Sequence, residues 1–117
     1  MLELTIVAAL VIVVVMVAAV PWPSLLIAGL ATTAAGLVLG MSTGVWYHVA
    51  LGRALLGSGP LPPRWWLRPV PLHARLRPGD LRSVMPWFYA GAVGFVITVV
   101  GLAVCAISMG LAIWRGP

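Results

Sequence analysis

Residues 36–52 read GLVLGMSTGVWYHVALG, with glycine at every fourth position until the series meets a histidine. Extending the register gives Ala28, Thr32, Gly36, Gly40, Gly44, His48 and Gly52, of which only His48 has a bulky side chain. In a helix in water each interior glycine costs about 0.8–1 kcal/mol relative to alanine. Such a run persists only where another backbone comes close, so the solvent around this segment decides how it is read.

Composition points to a bilayer. The 117-residue chain is 62% hydrophobic and 8% charged, whereas soluble domains carry roughly 25% charged residues. That balance excludes an ordinary water-soluble fold. The net charge of +5 would suggest nucleic acid in a soluble protein. Here Arg53, Arg64, Arg68, Arg75, Arg77 and Arg82 all fall in one central segment whose only acid is Asp80. The prolines and tryptophans around them read as membrane contact, and no nucleic-acid partner is expected. Cys105 is the sole cysteine, so neither an internal disulfide nor a cysteine metal set can form, and no metal site is expected.

Working outward, three apolar stretches are long enough to span, which takes roughly 17–25 residues. They predict helices over 4–20, 24–51 and 83–114 in one membrane domain, 1–117, with an interfacial loop over 52–82. The fold class expected is an all-α integral membrane protein with three transmembrane helices and a Pro/Arg/Trp-rich cytoplasmic loop between the second and third. The first stretch ends in small residues, as a secretory signal would, but its leading residues carry Glu3 and no Lys or Arg, so it is read as a helix. Ser24 is an expected N-cap, Asp80 or Ser83 another, and Pro86 is placed in the first turn of the third helix.

Trp and Tyr collect at membrane boundaries, so Trp22 and Trp114 mark one face and Trp46, Tyr47, Trp87 and Tyr89 the other. The arginine-rich segment stays cytoplasmic. The N-terminus is then inside and the C-terminus outside, with Arg115 a mild exception. The short Pro21-Trp22-Pro23 turn makes helices one and two antiparallel neighbours. The all-arginine basic set and the heavy use of Ala, Val, Gly and Pro suggest a GC-rich, bacterial coding sequence, hence the inner (plasma) membrane.

In lipid the tails are as apolar as leucine, so helices associate through close packing, which small residues permit. The series from Ala28 to Gly52 is read as a glycine zipper suited to a right-handed crossing. On the third helix Gly91, Gly94, Thr98, Gly101, Cys105, Ser108 and Ala112 alternate spacings of three and four, a heptad seam with small knobs. Two unlike packing faces imply that some of this surface meets other chains.

In the loop, six prolines between residues 60 and 78 preclude a long helix. Arg64, Trp65, Trp66 and Arg68, followed by Arg75 and Arg77, read as a contact with lipid headgroups or a partner, each basic residue worth about 1 kcal/mol near an anionic surface.

His48 is the sharpest candidate for chemistry. On a glycine face it is a possible ligand for haem, or a contact for a quinone, with the glycines making room for a flat ring. At a membrane boundary a histidine also serves simply as a hydrogen-bonding residue, and that reading is preferred. His73 is the only other histidine, and pairing it with His48 requires the loop to fold back over helix two. No acid lies inside a span, and no nucleophile stands beside a base, so no enzyme is expected. The expected function is a small non-catalytic subunit that packs through glycine-rich faces into a larger membrane complex or a homo-oligomer. Its partners are then lipids and other membrane subunits or its own copies. No cofactor is expected, a bound haem or lipid being the exception. The alternatives are a haem- or quinone-binding electron-transfer subunit using His48, and a homo-oligomeric pore or transporter.

Overall fold

A computed structural model describes residues 1–116. Three helices, α1 (Leu2–Ala19), α2 (Trp22–Leu56) and α3 (Pro78–Arg115), are each long and apolar enough to cross a membrane. A six-residue 3-10 turn, Val70–Arg75, interrupts the connection between α2 and α3, and no strand occurs among the described residues. The protein is therefore an all-helical, multi-pass membrane chain.

The helices run further than expected. α2 begins at Trp22 rather than Ser24, because Pro23 in a first turn has no intrahelical N–H to forfeit. It ends at Leu56 rather than Leu51, passing through Gly52. α3 begins at Pro78 rather than Ser83, so Pro86 lies inside the helix and Asp80 falls in its first turn. Instead of capping, the Ser83 hydroxyl donates to the Asp80 carbonyl at 2.9 Å. At about 1.5 Å per residue, the 35 residues of α2 measure about 52 Å and the 38 of α3 about 57 Å, against a hydrocarbon core of about 30 Å. Both helices thus have a turn or more beyond the lipid, and the 18 residues of α1 only just span it.

Two compact units make up the chain. The first contains Met1–Ala34 and the chain from Val99 onward. In it Leu25 and Gly29 of α2 are buried, as are Gly101 and Ser108 of α3. Ser108 is fully buried, and its hydroxyl donates to the Trp22 carbonyl at 2.6 Å. α1 buries no residue at all. Its valines and isoleucines surround the axis and offer no small-residue face, and in lipid nothing presses such a helix tightly onto a neighbour. Its one polar tie is at its end, where the Arg115 guanidinium donates to the Ala18 carbonyl at 2.6 Å. The exceptional outer arginine therefore satisfies a last-turn carbonyl that the helix leaves open.

The second unit is Ala35–Thr98. Its core is Tyr47, Leu51, Leu55 and Val84, against which Leu61, Trp65, Leu72, Leu76 and Phe88 pack. The connection, expected as an interfacial loop in contact with headgroups or a partner, also folds back on the ends of α2 and α3. Gly59, with φ +146°, makes the reversal after α2, a conformation a side chain would strain.

Candidate functional site

The small residues of α2 and α3 meet each other. In the second unit a Cβ built on Gly36 would lie 2.5 Å from the Thr98 backbone nitrogen, and one on Gly94 would lie 2.5 Å from the Cα and nitrogen of Gly40. Gly91 faces Thr43, whose hydroxyl turns back to donate to the Leu39 carbonyl at 2.6 Å. In the first unit Gly29 would meet the Cys105 nitrogen at 2.9 Å, and Gly101 would collide with Thr33. Hydroxyls at these contacts satisfy themselves on their own helix, Thr33 to Gly29 and Thr98 to Gly94, so no polar group is left open in the close contact.

The row on α2 is not the strict fourfold series. In the second unit it reads Gly36, Gly40, Thr43, Tyr47, Leu51, and in the first Leu25, Gly29, Thr33. Four residues turn a helix about 40° past a full revolution, so a row that keeps facing one partner takes a step of three. Ala28 accordingly lies exposed, with Gly29 in its place, and Thr32 only bonds the Ala28 carbonyl at 2.8 Å. Gly44 sits at the edge, where an added Cβ meets nothing. Gly52 is not a helix contact either: it seats the indole of Trp65, whose Cη2 would lie 3.0 Å from an added Cβ. On α3, every expected position from Gly91 to Ser108 is on the contact side.

Trp65 is therefore half-buried against α2 rather than free to anchor in headgroups, while Trp66 stays exposed. Arg64, Arg68, Arg75 and Arg77 are all exposed, as a basic surface requires. Arg64 holds φ 56°, a left-handed conformation uncommon outside glycine, and its neighbour Trp65 is the one that turns inward.

The stretch Trp46-Tyr47-His48 sends three rings in three directions, at about 100° per residue. Trp46 stacks on Trp87 with centroids 6.1 Å apart. Tyr47 is buried, and its hydroxyl shares a 2.5 Å hydrogen bond with Nε2 of His73. Phe88 completes this cluster, 5.4 Å from Tyr47 and 5.3 Å from His73. Sequence reasoning missed Tyr47 as the point that fastens the connection to α2. The only signal was its place beside His48, and a partner 26 residues away leaves no local trace. Tyr47→Phe leaves the His73 nitrogen without this partner, and is expected to cost about 1 kcal/mol of local stability. Faster amide exchange across Val70–Arg75 is the measurement, and unchanged exchange would show that the hydroxyl contributes nothing.

His48 does not face His73. Its Nδ1–H donates to the Gly44 carbonyl at 2.8 Å, and its Nε2 lies 3.2 Å from the Trp66 carbonyl. Both ring nitrogens thus lie beside backbone carbonyls, of which a singly protonated imidazole donates to one. Among the described residues, no three His, Cys, Asp or Glu side chains converge.

Fold and site together define a multi-pass helical membrane protein held by a glycine-lined helix pair. No family model, curated protein or solved structure matches the chain.

Proposed function

We propose that the chain is a small non-catalytic subunit of the bacterial inner membrane that assembles with another membrane chain, a second copy or a larger subunit. The arginine distribution supports an orientation with the N-terminus and the α2–α3 connection cytoplasmic and the C-terminus outside. Most of the glycine surface is occupied within the chain, so the surface for a partner is the part left open.

The observation that carries the reading is Gly44. It interrupts α2 at a cost of about 1 kcal/mol relative to alanine, yet beyond its chain neighbours and the backbone of its own helix no atom among the described residues comes within 4 Å of where its Cβ would be. Met41, Val45, His48, Val49 and Trp66 frame an apolar groove of about 510 Å³ around it. A transmembrane helix laid in that groove gains the close backbone contact that gives the glycine a role. α1, which buries no residue, supplies further lateral surface.

Purification in mild detergent, with identification of what stays bound, tests this. Gly44→Leu fills the groove, and its Cβ meets nothing across the α2–α3 seam. It is expected to abolish co-purification or shift the species to a monomer at unchanged helicity. An assembly indifferent to that change sinks the reading. A Soret band that disappears in His48→Ala would instead favour the electron-transfer alternative.

A further inference from the structure

On another side of α2, a cleft of about 400 Å³ is lined by Trp46, Val49 and Arg53 from α2 and by Asp80, Ser83 and Trp87 from α3. Asp80 is one of only two acids in the chain, the other being Glu3. It lines this cleft together with Arg53. The Ser83 hydroxyl is committed to the Asp80 backbone rather than to its carboxylate. A cation and an anion lining one cleft match a ligand that carries both charges in the reverse order.

We propose that this cleft binds the phosphoethanolamine headgroup of a phospholipid. The Arg53 guanidinium takes the phosphate through charge-assisted N–H donors. The primary ammonium donates to the Asp80 carboxylate. Trp46 and Trp87, stacked and partly exposed, stand where the apolar stretches of α2 and α3 end, the depth at which indoles settle in a bilayer. Val49 gives an apolar wall for the glycerol end, which a soluble phosphate ester would not fill. Phosphocholine has no N–H for Asp80, and phosphoglycerol has no cation and brings its charge toward a carboxylate. The arrangement therefore selects among headgroups, which a bare arginine surface does not.

The full-length protein is reconstituted with equal amounts of phosphatidylethanolamine, phosphatidylglycerol and phosphatidylcholine, and retained lipid is counted by native mass spectrometry. Phosphatidylethanolamine is expected to be retained about ten-fold over either competitor, the effect of one charge-assisted hydrogen bond. Asp80→Asn lowers it to the phosphatidylcholine level, Asp80→Glu restores it, and Arg53→Gln weakens retention of both. Soluble glycerophosphoethanolamine leaves the ratio unchanged. Equal retention of phosphatidylglycerol, a preference that survives Asp80→Asn, or displacement by the soluble ester would each overturn the assignment. Should Asp80→Asn fail to fold, the Asp80→Glu and Arg53→Gln comparison decides.

Discussion

Gly94→Ala is expected to be among the most damaging single-methyl additions this chain can receive, while Gly40→Ala, on the facing helix, is nearly harmless. The two glycines oppose each other, but their Cβ directions differ. A methyl on Gly94 would lie 2.5 Å from the Cα and nitrogen of Gly40 and 3.1 Å from the Gly36 carbonyl, whereas one on Gly40 first meets Gly94 at 3.4 Å. Backbone atoms cannot rotate aside, so the helices must separate and lose dispersion contacts along the seam. Overpacking costs about 1–3 kcal/mol where side chains can adjust, and the upper end applies here. Gly36→Ala, 2.5 Å from the Thr98 nitrogen, is expected to behave the same way. Within the chain itself Gly44→Ala meets no facing atom and changes only helix propensity, so the α2–α3 seam is expected to be unaffected or stabilised by up to about 1 kcal/mol. Titration of the reconstituted protein with a denaturing detergent measures all four. Equal losses at Gly40 and Gly94 would refute the contact geometry.

Leu51→Ala is the second large effect, and it acts through different physics. Leu51 is fully buried, with Tyr47, Leu55 and Val84 around it and the returning connection above. Here a large side chain fills a core beneath the connection, whereas at Gly94 a missing one lets two backbones approach. A buried Leu→Ala change costs about 2–5 kcal/mol. At about 1.4 kcal/mol per factor of ten, even 3 kcal/mol raises local opening roughly a hundred-fold. Trypsin reads this directly at Arg64 and Arg75 in the connection, Arg68 and Arg77 being followed by proline and resistant. Faster cleavage there, with the protein still recovered from the membrane, is the expected result. Cleavage at the native rate would show that the connection is held by something other than this core.

The two variants also separate two kinds of small residue. Gly94 is small because a backbone lies against it, and Gly52 because an indole does. Both appeared in one reading of the sequence as helix contacts. Trp65 was read there as an anchor in headgroups, and its burial on Gly52 leaves Trp66 and the exposed arginines to meet the membrane surface.

What the sequence determined by itself was the solvent and the spans. A chain with 8% charge and three apolar stretches has no other stable place for its backbone than helices in lipid. The alternating spacing from Gly91 to Ser108 likewise marked the contact side of α3, because a period of 3.5 keeps one line facing one partner. Only the tertiary structure decided that α2 uses Gly29 and Thr33 where the series pointed to Ala28 and Thr32. It alone showed that α1 buries nothing and that the connection folds back to join His73 to Tyr47. Periodicity fixes a residue's angle about its own helix axis. The offset of the partner helix, and contacts between residues far apart in the chain, depend on two surfaces at once, and neither surface carries that information alone.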